Sequence, residues 1–105
     1  MTSNQKFKPP YDLEERTFLF AKHVRLFVKT LPKTIAKIED SRQVVKASGS
    51  VAANYREANE VLGKKDFLMR INISRKESNE SAYWLRLINE NNILDNYKEA
   101  ERLIK

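Results

Sequence analysis

Carboxylate and amide side chains recur at helical spacing in the second half of the sequence, and such residue types can bind a metal ion or move a proton. Asn54 and Glu57 stand three residues apart, and Glu77 and Glu80 repeat that spacing. Residues three apart lie on one face of a helix. If two helices carrying these pairs pack antiparallel, the pairs approach each other.

Two interpretations of these pairs are open, a carboxylate-rich metal site and a structural network. Helical bundles that bind two metal ions use Glu-x-x-His motifs, and the single histidine, His23, has no Glu three residues before it. Buried polar groups need hydrogen-bonded partners, which Arg70 or Arg75 could supply. We therefore favour a network that fixes the register of the helices, with no metal and no cofactor. Its predicted members are Asn54, Glu57, Arg75, Glu77 and Glu80.

Serine hydroxyls are the remaining candidates for chemistry. A serine nucleophile needs an adjacent base, and His23 is the sole imidazole in the chain. The sequence has no G-x-S-x-G elbow, no phosphate-binding loop and no dinucleotide-binding glycine pattern. Cysteine is absent, which excludes disulfides and thiolate nucleophiles. We predict no catalytic residue and no enzymatic activity, and we interpret the serines as small residues at helix contacts.

Positive charge is the other functional signal, because 20 Lys and Arg oppose 14 Asp and Glu for a net charge of +6. Phosphate backbones are attracted to a basic surface, by charge and shape and in a salt-dependent way. No RNA-recognition, KH or zinc-finger signature indicates sequence-specific recognition. The alternative is an oligomeric protein–protein adaptor or scaffold whose lysines only aid solubility. The candidate nucleic-acid-binding residues are Lys22, Arg25, Lys29, Lys33, Lys37, Arg42 and Lys46.

The length of 105 residues, 41% of them hydrophobic, suits one domain. We assign residues 1–11 to an N-terminal tail and residues 12–105 to a helical domain. The apolar runs are only a few residues long, far short of the roughly 18 that span a bilayer. Residues 1–10 lack the apolar core of a signal peptide. We therefore expect a cytoplasmic protein that makes no contact with membranes.

The first two predicted helices are delimited by caps and breakers. Asp12 caps the first, with Glu15 three residues later in a variant of the capping box, and Pro32 ends it. Residues 34–40 form either a short turn or an extension of the second helix, for which Asp40 or Ser41 is the predicted cap. The second helix runs to about residue 60, where a left-handed glycine at position 63 closes it.

Small residues mark the contact between the second and third helices. Gly49 in mid-helix costs about 1 kcal/mol relative to Ala, so close packing is its expected reason. The third helix spans residues 65–91 and carries Ser74, Ser78 and Ser81 at the centre of its stripe. A fourth begins at Asn92 or Asp95, and its predicted inner residues are Tyr97, Ala100, Leu103 and Ile104. These elements predict an all-α fold, an antiparallel up-down-up-down four-helix bundle.

Four sequence blocks resemble the small proteins encoded in intervening sequences of bacterial 23S ribosomal RNA genes. The blocks are Leu31-Pro32-Lys33, an S-x-x-x-N-x-x-E pattern over residues 50–57, Lys64-Lys65-Asp66-Phe67, and E-x-x-x-W-L over residues 80–85. They stand in the expected order and cover residues 11–94. The resemblance implies four-helix bundles that assemble as rings, typically homopentamers, with no established enzymatic activity.

The resemblance also implies partners. A related branch includes the accessory protein of diversity-generating retroelements, a basic protein that works beside a reverse transcriptase on RNA. By this analogy the expected partners are further copies of the chain, RNA or DNA, and a protein such as a reverse transcriptase. Apolar residues exceed one stripe on the first and third helices, and such helices need a second partner. The candidate oligomer contacts are Phe18 and Trp84.

Overall fold

The computed structural model describes residues 12–104, with side-chain surroundings given over residues 12–90. The described part forms three helices and no strand: α1 (Leu13–Val28), α2 (Ile35–Glu60) and α3 (Lys64–Ile104). The predicted all-α class is therefore confirmed. The N-terminal tail that the sequence analysis separated from the domain lies outside the described residues.

The start of α1 is the one that the sequence predicts. Asp12 is the N-cap, and its carboxylate accepts hydrogen bonds from the backbone N–H groups of Glu14 and Glu15, at 3.1 and 3.3 Å. The helix ends at Val28, a few residues before Pro32. Each bond satisfies an amide that has no partner within the helix, so the cap fixes where α1 begins.

The start of α2 differs from the prediction. Thr34 is the N-cap, with an extended backbone at φ −88° and ψ 164°, and its hydroxyl accepts from the N–H of Lys37 at 3.2 Å. The predicted caps, Asp40 and Ser41, are wrong because both lie inside α2. The alternative, in which residues 34–40 extend the second helix, is correct. Thr34 ends the extended segment that follows Pro32, and nothing after it interrupts the helix.

Replacing Thr34 by Ala is expected to lower the free energy of unfolding by about 1 kcal/mol, because the N–H of Lys37 then loses its partner. Thr34→Ser keeps the hydroxyl and should stay near the wild type. Urea unfolding followed by far-ultraviolet circular dichroism measures the difference. A larger loss for Ser41→Ala than for Thr34→Ala would contradict the assignment of the cap.

The connection between α2 and α3 also departs from the prediction. The chain leaves α2 at Val61 in an extended conformation, φ −83° and ψ 152°. Neither described glycine has a positive φ, so the predicted left-handed cap at Gly63 is wrong. The carbonyl of Gly63 instead accepts a hydrogen bond from the N–H of Phe67 at 3.0 Å. Gly63 thus opens α3 rather than closing α2.

Helix α2 lies between α1 and α3 and contacts both. The centre of the core takes one buried residue from each helix, Val24, Val44 and Ile88. Small residues line the contact between α2 and α3, as predicted: Ser48 and Ser81 are fully buried. Partly buried residues surround this centre, namely Phe20, Val28, Leu31, Val45, Trp84 and Leu85.

Helix α3 is longer than predicted. Ser74 donates to the carbonyl of Val51 at 2.9 Å, and Arg70 donates to Asn54 at 2.9 Å, so α3 runs antiparallel to α2. Helix α3 continues without a break to Ile104, so the described part has three helices where the sequence predicts four. No Gly or Pro occurs after residue 63, and Asn or Asp inside a helix costs less than about 1 kcal/mol. The side chains predicted to face inward from the fourth helix lie outside the described residues.

Candidate functional site

The polar contact between α2 and α3 centres on Asn54. Its carbonyl oxygen accepts from Arg70 Nη1 at 2.9 Å, and its Nδ2 donates to the backbone carbonyl and to the hydroxyl of Ser50, both at 3.0 Å. Both the oxygen and the nitrogen of the Asn54 side-chain amide therefore have hydrogen-bond partners. The register of α2 against α3 brings Arg70, and not the predicted Arg75, opposite Asn54.

The other members of the predicted network do not join this contact. Glu57, Arg75 and Glu80 are exposed, and Glu77 is half-buried. Within the described residues none of these four side chains makes a hydrogen bond or ion pair, although the backbone carbonyl of Glu77 accepts from Ser81 at 2.9 Å. The described part also contains no group of three His, Asp or Glu side chains that could hold a metal ion. The Asn54–Glu57 and Glu77–Glu80 pairs are thus not joined by any hydrogen bond in the described part.

An open groove of about 850 Å³ runs between α1 and α2. We call it the α1/α2 groove. Three of the predicted basic residues, Lys22, Arg25 and Lys29, line it on the α1 side. Its apolar wall is formed by Phe18, Ala21, Leu26, Gly49, Ala52 and Ala53.

Arg25 ties α1 to α2 across this groove. Its guanidinium donates to the carbonyl of Ala21 at 3.1 Å and to that of Val45 at 3.5 Å. A Cβ at Gly49 would lie only 3.1 Å from Arg25 Nη2. The group nearest to Gly49 is thus the end of the Arg25 side chain, and among the described residues no backbone of a neighbouring helix approaches it as closely. Arg25 contributes charge to the groove but its side chain already has a structural role.

A second cavity, of about 540 Å³, lies where α1 connects to α2, and four predicted basic residues line it. Lys29 lines both this cavity and the α1/α2 groove. Lys33 is exposed and lines this cavity. Lys37 is only 2% exposed, so a phosphate cannot reach it as predicted. Lys37 lies in the first helical turn of α2, on the face towards the core, and this position accounts for its burial.

Arg42 lines the same cavity but is engaged in an ion pair. Its Nη2 lies 2.7 Å from Glu39 Oε1. Hydrogen bonds from Gln43 and from Arg42 hold the pKa of Glu39 below its ordinary value, so this carboxylate stays charged at neutral pH. A phosphate would have to compete with Glu39 for Arg42.

The remaining basic candidates are exposed lysines, namely Lys22, Lys29, Lys33 and Lys46. None of them makes an ion pair with another described side chain. Lys46 lines neither cavity. The structure therefore brings Lys22, Lys29 and Lys33 together along α1 and the connection that follows it, with Arg25 beside them, and we call these four residues the basic surface.

The two predicted oligomer contacts have different surroundings. Phe18 is 57% exposed and lines the α1/α2 groove. Trp84 packs against the core and makes an edge-to-face contact with Tyr83, with ring centroids 5.1 Å apart. Trp84 thus has a partner inside its own chain.

An exposed apolar cluster lies where α2 turns into α3, and the sequence analysis missed it. Leu62 is fully exposed and Phe67 is 38% exposed. The signal that could have found the cluster is the run of apolar residues from Phe67 through Met69, which is wider than one helical stripe. The turn cluster comprises Leu62, Phe67, Leu68 and Met69.

The fold and the surface together define a small all-helical protein with a basic face and a separate apolar cluster. The chain belongs to the family of 23S rRNA-intervening sequence proteins, whose model matches residues 11–105. This match confirms the family indicated by the four sequence blocks. No curated protein and no solved structure matches the chain. None of the described helices is both long enough and apolar enough to cross a membrane.

Proposed function

We propose that this chain is a non-enzymatic, oligomeric helical protein that binds RNA or DNA through the basic surface, by charge and shape. The position of Lys29 carries the proposal, because it lines both cavities and so joins Lys22 and Arg25 to Lys33. Exposed lysines without a carboxylate partner can neutralise phosphates and so displace the counterions condensed on a nucleic acid. The surface offers no base-specific hydrogen-bonding pattern, so affinity should follow charge rather than sequence.

We further propose that the assembly is a ring, a homopentamer, as the family resemblance implies. Phe18 supports a contact between copies, since it is large, apolar and 57% exposed. In the assembled protein α3 would break near Asn92 or Asp95, and its last part would become the fourth helix of an up-down-up-down bundle. The length of α3 supports this step, because α3 has 41 residues and α2 only 26, so α2 cannot accompany α3 along its whole length.

A salt titration tests the binding proposal. The anisotropy of a labelled single-stranded RNA and of a labelled duplex DNA is measured between about 50 and 200 mM salt. We expect binding at low salt, with log K falling linearly against log salt. Absence of binding to both nucleic acids at about 50 mM salt would overturn the proposal. Light scattering on the same sample tests assembly, and a monomeric mass would overturn the ring.

The second candidate is an oligomeric adaptor or scaffold without nucleic-acid affinity. The turn cluster favours it, because exposed contiguous apolar side chains typically mark protein-binding surfaces. A protein such as a reverse transcriptase is the partner that the family analogy indicates. An oligomeric mass together with absence of nucleic-acid binding would select this candidate.

A further inference from the structure

The α1/α2 groove has an acidic end, at the start of α1 and the end of α2. Glu15 and Glu60 line this end as exposed carboxylates, and neither makes an ion pair with another described residue. Glu14 also lines it and accepts a hydrogen bond from Asn59 at 3.0 Å, which joins the two helices there. Arg56 is the basic residue lining the same end of α2. Acidic groups outnumber it, so this end attracts positive charge.

The acidic end continues directly into the apolar wall of the groove. Phe18 follows Glu15 by one helical turn on α1, and Ala53 precedes Glu60 by two turns on α2. Both Phe18 and Ala53 are exposed. A matching partner would therefore carry cationic groups, which face the carboxylates of the acidic end, beside a bulky apolar group, which packs against the apolar wall.

The α2–α3 turn of this chain has these properties. Leu62 is fully exposed, and Lys64 and Lys65 follow it as exposed cations at the start of α3. Phe67 and Leu68 are 38% and 49% exposed and extend the apolar surface. Leu62 is covered by no described residue, and Phe67 and Leu68 are covered only in part. Apolar and positively charged groups thus occur together at one projecting point.

We propose that the turn cluster of one copy docks into the acidic end of the α1/α2 groove of the next copy. Leu62 then contacts Phe18 and Ala53, while Lys64 and Lys65 face Glu15 and Glu60. The proposal rests on the assembly proposed above and specifies its contact. Opposite charges fix the register of such a contact, and the apolar groups contribute most of its affinity.

The proposed contact joins two different surfaces of the chain, which determines the symmetry of the assembly. The groove and the turn cluster are different surfaces of one chain, so the contact is head-to-tail and each copy uses both surfaces. Head-to-tail contacts close into rings when the rotation between copies is a whole fraction of a turn. A reciprocal two-fold dimer, in which the turn cluster of each copy enters the groove of the other, would stop at two copies and is a different arrangement from the proposed ring.

Disulfide trapping tests the contact, and the absence of cysteine from the chain makes it direct. The full chain carries Ala53→Cys together with Leu62→Cys. The helical rise from Ala53 to Glu60 is about 10 Å, and a disulfide needs Cα atoms within about 7 Å. The two positions therefore cannot bridge within one copy. After mild oxidation, we expect a non-reducing gel to show dimers, trimers and larger species up to a closed ring.

Matched variants distinguish the proposed contact from random oxidation of exposed thiols. The pair Leu62→Cys with Asn79→Cys keeps two exposed thiols but places one on the outer face of α3, and we expect it to give little beyond dimers. The single variants allow at most dimers. A ladder no stronger than that of the Asn79 pair, or a product that stops at dimers, would overturn the contact.

A charge exchange gives an independent test without cysteine. Lys64→Glu with Lys65→Glu should raise the dissociation constant of the assembly about tenfold or more. Adding Glu15→Lys and Glu60→Lys should restore it to within about threefold, measured by sedimentation velocity. Failure of the second pair to restore assembly overturns the contact. A wild type that is monomeric overturns the proposed ring as well, whereas an oligomeric wild type with neither ladder nor rescue overturns only this contact.

Discussion

Replacing Ile88 by Ala is expected to lower the free energy of unfolding by about 2–5 kcal/mol. Ile88 is fully buried, and it forms one buried cluster with Val24 of α1 and Val44 of α2, to which all three helices contribute. Removing its side chain loses apolar burial and leaves a cavity between three rigid helices. A domain of this size has a total stability of roughly 5–15 kcal/mol, so the variant should lose a large part of it.

The chain contains a matched control for this prediction. Ile35 is also an isoleucine in a helix but is 90% exposed, so Ile35→Ala deletes the same atoms and should change stability by no more than about 0.5 kcal/mol. Urea unfolding at one protein concentration compares the two, since assembly makes stability depend on concentration. Equal losses for the two variants would show that the core does not lie where α1, α2 and α3 meet.

Sequence patterns predict well which segments of this chain are helical. Asp12 has the chemistry of a cap and is followed by a clear apolar stripe, so its role in α1 was predictable. Thr34 was missed because Asp40 and Ser41 have equal cap chemistry, and local sequence does not choose among them. The unbroken α3 has the same explanation, since Asn92 and Asp95 resemble caps but neither prevents a helix from continuing.

The candidate site was harder to predict because it depends on register between helices. That Asn54 would contact a basic residue of the third helix was a correct expectation, but a shift of little more than one turn decides between Arg70 and Arg75. Lys37 shows the same limit: a lysine near a helix start is usually exposed, and only the packing of α2 against its neighbours buries it. The exposure of the turn cluster likewise depends on how α2 and α3 pack at the connection between them, which local sequence does not show.

Neutralising two lysines of the basic surface is expected to weaken nucleic-acid binding strongly. Lys29→Gln with Lys33→Gln removes two charges that have no carboxylate partner among the described residues. For single-stranded RNA, the slope of log K against log salt should become shallower by about 1.4, or about 0.7 per lost phosphate contact. If the variant and the wild type bind equally at about 1 M salt, this change in slope corresponds to a roughly 25-fold lower affinity of the variant at about 0.1 M salt. The anisotropy titration measures both quantities.

A second pair separates the basic surface from overall charge. Arg75→Gln with Lys76→Gln removes the same net charge from exposed positions on the outer face of α3, and it should change affinity by no more than about twofold. If both pairs weaken binding equally, the net charge of the chain governs binding and the basic surface has no special role. A larger loss for the Lys29 and Lys33 pair would instead locate the phosphate contacts on α1 and its connection to α2, because among the described residues these exposed lysines line two cavities that share Lys29.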